Sequence, residues 1–124
     1  MNKEDKDLLL KDLCARLPYG VKFACNKNVY TVKGLDLLVT DEGDWEYAVT
    51  AKGITPIEID FIKPYLFPLS SMTEEQRNEY HELLYNSKHG INIDYFDWCH
   101  RNHLDCRGLI SMGLAIDCTN LNIY

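Results

Sequence analysis

ITPIEIDFIKPYLFPLSSM, residues 54 to 72, decides how this chain is built. Ile57, Ile59 and Phe61 share one parity and Glu58 and Asp60 the other, the period of two that predicts a strand over 56 to 62 with one buried and one wet face. Pro64 and Pro68 read as the stop of that strand. The segment divides a β-rich first half from a helical second half. Tyr65 and Phe67 lie in the connector, where extended backbone leaves side chains less committed to a sheet face. They are therefore candidates for an exposed aromatic contact surface.

Upstream, residues 2 to 17 predict a helix, with Leu9, Leu10, Leu13 and Leu17 on one face, charged residues on the other, and Pro18 and Gly20 as its end. Residues 20 to 25 alternate Val21, Phe23 and Cys25 with Lys22 and Ala24, and 29 to 33 follow the turn formers Asn26, Lys27 and Asn28, so a hairpin is expected. A second hairpin pairs 35 to 40 with 45 to 52 around Asp41, Glu42, Gly43 and Asp44, its apolar parity being Trp45, Tyr47, Val49 and Ala51. Downstream the period changes. Thr73 as N-cap and Gln76 three residues on predict a helix running to about Tyr85. A loop over 86 to 90 and a helix over 94 to 103 follow, with Asn92 or Asp94 near its cap. Residues 108 to 113 predict a short helical turn, and 114 to 118 with 121 to 124 a terminal strand or ribbon. The expected fold is α+β: an N-terminal helix on a small curved antiparallel sheet, or SH3-like barrel, of about five strands, then two or three helices.

The length of 124 residues suits one hydrophobic core and leaves no room for two comfortable domains. We therefore read 1 to 124 as a single domain, with a helix and β-rich part over 1 to 62 and a connector and mainly helical part over 63 to 124. Hydrophobic residues at 46% and charged residues at 26% match folded soluble proteins and argue against disorder. No apolar run approaches the roughly 20 residues that span a bilayer. MNKEDKD at the start is charged where a signal peptide is apolar, so a cytoplasmic location without membrane contact is expected. The odd, scattered set of Cys14, Cys25, Cys99, Cys106 and Cys118 reads as reduced thiols.

The net charge of −6 is uneven. Residues 1 to 33 carry seven basic against four acidic side chains, and residues 34 to 62 carry Lys52 against Asp36, Asp41, Glu42, Asp44, Glu46, Glu58 and Asp60. The middle of the chain should present a negative surface. Nucleic-acid binding needs clustered Lys and Arg that displace counterions, so the balance argues against it. The positive first third, with Lys22, Lys27 and Lys33, is what a nucleic-acid regulator would use.

The sharpest constellation is Cys99, His100, His103 and Cys106, with His89 and Cys118 near in sequence. Zinc takes four Cys or His ligands in a tetrahedron, but paired C-x-x-C knuckles are absent and adjacent Cys99 and His100 point about 100° apart on a helix. Phe96, Cys99, His100 and His103 equally form an i, i+3, i+4, i+7 packing stripe. We assign no metal and no cofactor on this pattern, and keep a metal site at 99 to 106 as an alternative. Asp41, Glu42, Asp44 and Glu46 lack the EF-hand pattern and read as a solvated hairpin tip. Cys25 and Cys106 are nucleophiles only if folding brings a histidine beside them. Arg107 reads as a structural ion-pair partner of Asp105 or of an acidic strand face. No nucleophile elbow, P-loop or G-x-G-x-x-G is present, so no enzyme activity is expected.

KPYLFPLSSMTEEQ, residues 63 to 76, and YFDWCHRNHLDCRGLISMGLAID, residues 95 to 117, resemble segments of small uncharacterised phage and prophage proteins of anaerobic gut bacteria. There a K-P-x-L-x-P-type connector precedes an acidic helix, and a later helix leads to D-x-R-G-L-I and a G-x-A ending. The resemblance covers the second half. It implies an accessory protein of a mobile element and no chemistry. Together these readings make the chain a non-catalytic interaction module that binds a protein of host or phage origin. The expected binding surface is Asp41, Glu42, Asp44, Glu46, Glu58 and Asp60, with Tyr65 and Phe67.

Overall fold

The computed structural model describes residues 1–86 and 93–124. Its fold is α+β, and its two sheets stay open instead of closing into the barrel that five curved strands suggested. Helix α1 (Lys3–Arg16) starts where Asn2 accepts a hydrogen bond from the Asp5 amide at 2.7 Å, a side-chain cap for one of the orphan donors of the first turn. A 3₁₀ turn at Leu17–Tyr19 and left-handed Gly20, φ 69°, end it. Gly20 takes that conformation without the Cβ clash other residues would meet.

Strands β1 (Lys22–Cys25) and β2 (Asn28–Thr31) form the first hairpin. Asn26 and Lys27 both have positive φ, 49° and 67°, the pair of values a two-residue type I′ loop needs to follow the right-handed strand twist. Strands β3 (Gly34–Val39) and β4 (Trp45–Thr50) form the second, in the register Leu35 to Val49, Leu37 to Tyr47 and Val39 to Trp45. Residues 32 and 33 carry the chain between the sheets: the Val32 amide bonds the Val21 carbonyl, and the Lys33 amide the Thr50 carbonyl.

The deciding stretch folds differently from its pattern. Only β5 (Ile57–Glu58) is strand, and Ile59–Phe61 turns as a 3₁₀ helix, which rotates Phe61 into solvent at 68% exposure while Ile59 stays at 0%. Pro64 does not stop a strand. It lies inside β6 (Lys63–Leu66), which occupies an inner position in the sheet ordered β2-β1-β6-β7. Proline removes a donor yet keeps an extended φ, so a short strand with Pro64 opposite Phe23 tolerates it. The partner on the other side is β7 (Ile116–Asp117), paired in parallel and shorter than the strand expected over 114 to 118.

Helix α2 (Glu74–Asn86) opens on the expected capping box, with the Gln76 amide bonding Thr73 Oγ1 at 3.1 Å and the Thr73 amide bonding Gln76 Oε1 at 3.0 Å. Helix α3 (Ile93–Arg101) stops two residues short of its expected end, because His103 takes φ 58° and the Leu104 amide bonds back to the Cys99 carbonyl. Of the loop expected over 86 to 90, Asn86 belongs to α2 and the rest, with His89 and the candidate cap Asn92, lies outside the described residues, while Asp94 lies within α3. Residues 109 to 113 form hydrogen-bonded turns, the Gly113 amide bonding the Ile110 carbonyl and Gly113 itself at φ 77°.

The main core gathers Leu9 and Leu13 of α1, Phe23 of β1, Val49 of β4, Ile59, Ile62 and Leu66, with Leu109 and Leu114. A smaller cluster of Tyr95, Trp98, Cys99 and Leu104 packs against Phe67, Met72, Tyr80 and Leu83. Phe67 joins the two halves: its amide bonds the His103 carbonyl and its carbonyl the Asp105 amide, both at 2.8 Å.

Candidate functional site

On α1 the positions 9, 12, 13 and 16 share one face, and all four are buried. Two are charged. Arg16 Nε bonds Asp12 Oδ2 at 2.7 Å with both side chains at 0% exposure, so the face expected to be apolar carries an ion pair wholly out of water. Arg16 Nη2 donates to the Leu104 carbonyl at 2.6 Å, across to the segment after α3. Among the described residues Arg16 Nη1 has no partner. The second oxygen of Asp12 holds Arg107 Nη1 at 3.0 Å. Arg107 thus pairs with α1 in place of Asp105, whose carboxylate accepts the Leu109 and Ile110 amides at 2.8 and 2.9 Å.

Arg107 connects this ion pair to the cysteines. Its Nη1 lies 2.8 Å from His100 Nε2 and 3.9 Å from Cys106 Sγ. A guanidinium only donates, so His100 Nε2 accepts and the imidazole proton sits on Nδ1. The cation beside Cys106 is therefore Arg107, aimed by Asp12 and His100 and lying 5.2 Å from the centre of the Phe96 ring. Hydrogen bonding with the Cys99 thiol holds Cys106 below the usual thiol range, against the opposing effect of burial, with the Arg16 charge adding to it. The same bond, reinforced by burial, pushes Cys99 up. Of the two, Cys106 is the one shifted toward the thiolate. Cys106 opens, with Phe96, Asp97, His100 and Arg107, into a cavity of about 630 Å³ whose other wall is Leu8, Lys11 and Ala15 of α1.

His103 leaves the group. It stacks on Tyr124, with ring centres 3.6 Å apart, and burial lowers it to about 4 with help from the charges of Arg16 and Lys22. Among the described residues no three His, Cys, Asp or Glu side chains are arranged to hold a metal ion.

The other expected site divides in two. Asp41, Glu42 and Asp44 are exposed at the tip of the β3–β4 hairpin and, with Glu46 and Glu58, line a hollow of about 410 Å³. Glu46 and Asp60 are engaged: Lys6 of α1 bridges them at 2.6 and 3.2 Å, and the Lys6 bond holds the Glu46 carboxyl below its usual range. Tyr65 and Phe67 are half-buried. The exposure expected of them fails because their segment is strand β6 and its continuation, with Phe67 in the smaller cluster. Tyr65 offers its carbonyl to the Tyr124 hydroxyl at 2.9 Å. Lys22, expected to be free for phosphates, donates to the Ile123 carbonyl at 3.0 Å.

The aromatic surface lies elsewhere, on the outer half of the β3–β4 hairpin. Leu37 is 50% exposed, Val39 57%, Trp45 69% and Tyr47 37%. Cross-strand partners share a sheet face, so these four form two adjacent pairs on one side. The inner residues of that parity, Leu35 and Val49, reach the core. Alternation marks the apolar face but not where the body beneath it ends, so nothing in the pattern marks Leu37 and Val39 as standing in water. Asp12 and Arg16 count as wet in the amphipathic pattern, although they sit four apart on the arc of Leu9 and Leu13, the spacing at which opposite charges on a helix meet. Among the described residues no helix is long and apolar enough to cross a membrane. Comparison with protein-family models, curated proteins and solved structures finds no match to this chain.

Proposed function

We propose that the protein is a non-catalytic interaction module that holds a protein partner on the outer half of its β3–β4 hairpin. The observation that carries this reading is the exposed quartet Leu37, Val39, Trp45 and Tyr47. Contiguous apolar surface in water is costly and marks contact sites. Two features narrow the partner. Strand β3 lies at the end of the order β3-β4-β5, and a sheet edge accepts an added strand. Asp41, Glu42 and Asp44 are exposed at the hairpin tip, next in the chain to Val39 and Trp45, whereas Lys3, Lys6 and Asp7 of α1 line the hollow that holds Leu37, Trp45 and Tyr47. The fitting occupant is an extended segment whose apolar residues cover the quartet and whose lysines or arginines meet the acids at the hairpin tip. A second copy would bring these acids against their own kind, and the chain already carries −6.

Affinity capture with the immobilised full chain tests this. The reading expects at least one protein that binds the wild type and is lost by the Val39→Asp, Trp45→Asp variant. Neutralising Asp41, Glu42 and Asp44 together should weaken its retention about tenfold. Met112→Ala, an exposed apolar residue away from the hairpin, should leave recovery unchanged. Equal recovery by wild type and the Val39, Trp45 variant, or no specific recovery by wild type, would overturn the reading. A patch covered by a second copy would appear instead as a dimer in sedimentation that the same variant dissociates.

A further inference from the structure

We propose that Cys106 and Cys99 form a hydroperoxide-reactive dithiol, in which Cys106, facing the cavity beside Arg107, is oxidised first and buried Cys99 then closes a disulfide with it. The arrangement arises from the end of α3. Cys99 points inward at 0% exposure, the chain reverses through left-handed His103, and the Leu104 amide bonds the Cys99 carbonyl at 2.9 Å. That reversal folds Cys106 back onto the cluster that contains Cys99. The two thiols have unlike surroundings. Cys106 meets the cavity and a guanidinium held by Asp12 and His100, whereas Cys99 lies behind it, out of solvent.

Thiolates, not thiols, attack peroxides, and neighbouring cations together with access select which cysteine reacts. Cys106 is the sulfur that a small molecule in the cavity can reach, and it lies 3.9 Å from the Arg107 guanidinium that favours its thiolate. In the first step the Cys106 thiolate attacks one oxygen of a hydroperoxide and the O–O bond breaks. Cys106 becomes a sulfenic acid, and the departing hydroxide (alkoxide, for an organic peroxide) is protonated from solvent. In the second step the Cys99 thiol gives up its proton and its sulfur attacks the Cys106 sulfur. The S–O bond breaks, and the departing hydroxide takes that proton to leave as water. Two thiols lose two electrons in all, and hydrogen peroxide is reduced to two waters. No turnover is implied; the disulfide is a modification state of the module, restored by an external dithiol. Cys14, exposed on α1, is the internal control.

The test treats the reduced full chain with one equivalent of hydrogen peroxide at pH 7, blocks free thiols with N-ethylmaleimide, and maps the peptides by mass. The expected product is a link between Cys99 and Cys106, formed at least about ten times faster than oxidation of Cys14. In Cys99→Ala, dimedone should trap a sulfenic acid on Cys106, and Cys106→Ser should form no internal link. The wild-type map decides the matter even if a variant does not fold. Oxidation of Cys14 with Cys106 still open to alkylation, or a link from Cys106 to any other cysteine, would overturn the proposal. In addition, iodoacetamide should reach half its maximal rate with Cys106 at a pH below the ordinary thiol range. A midpoint in the ordinary thiol range would contradict the assigned thiolate.

Discussion

Asp12→Ala isolates the buried ion pair. Both Asp12 and Arg16 have side chains at 0% exposure, so the substitution leaves a guanidinium out of water with the Leu104 carbonyl as its remaining acceptor, and also frees Arg107. Deleting one partner of a buried pair costs about 3 to 5 kcal/mol, a large share of a total stability of roughly 5 to 15 kcal/mol. With about 2.1 cal/mol/K of unfolding entropy per residue over 124 residues, or roughly 0.26 kcal/mol/K, Tm should fall by about 12 to 19 °C. Urea unfolding at pH 7, followed by circular dichroism, gives the loss as a shift in midpoint at unchanged slope. Replacing both partners, Asp12→Leu with Arg16→Met, removes the uncompensated charge, and should cost less than the single change although the Leu104 carbonyl loses its donor. A loss below about 1 kcal/mol for Asp12→Ala, or a double variant no more stable than the single one, would refute this account of the pair.

Ile59→Ala should cost about 2 to 5 kcal/mol because the side chain is fully buried in the main core, whereas Phe61→Ala, at an exposed position, should cost under about 0.5 kcal/mol; equal losses in urea would restore the strand reading of 56 to 62. His103 is lowered to about 4 by burial and by Arg16 and Lys22, and its Nδ1 has no partner among the described residues. Its folded value lies below the unfolded one of about 6.5, so its stabilising effect is full above that pH and is lost as pH falls toward 4. Discounted for the partial exposure of the ring, the effect is about 1 to 2 kcal/mol. His103→Gln should flatten the stability profile between pH 7 and 4 by that amount, and parallel profiles for the two proteins would contradict it.

Local signals were legible and long-range ones were not. Gly20, the Asn26-Lys27 turn and the Thr73–Gln76 box each act within a few residues, and each lies where its chemistry required. The stretch around Ile59 was misread because period two is also satisfied, over three residues, by a short strand followed by a 3₁₀ turn; Phe61 distinguishes them only once its exposure is known. Pro64 was taken as punctuation although its φ suits a strand, and the sheet it joins is completed by β7, more than 50 positions later. The approach of Cys106 to Cys99 was within reach of the spacing, but its meaning depends on Asp12, Arg16 and Arg107, which come from α1 and from beyond α3. The acids at the hairpin tip were legible as surface. Sequence could not tell that Lys6 takes up Glu46 and Asp60, or that the exposed apolar residues would lie beside the tip instead of in the connector.

The most direct test of the hairpin as a contact surface is a ¹⁵N NMR titration of the full chain with a pool of extended peptides in which lysine alternates with valine, isoleucine or phenylalanine. The account predicts shifts confined to the amides of β3, Gly34–Val39, and to the Trp45 indole. The buried Trp98 indole, hydrogen-bonded to Glu79 at 2.7 Å, should stay in place, and glutamate-for-lysine versions of the peptides should leave the spectrum unmoved. An unchanged β3 and Trp45, or shifts that appear only along the α1–α3 cavity, would contradict it.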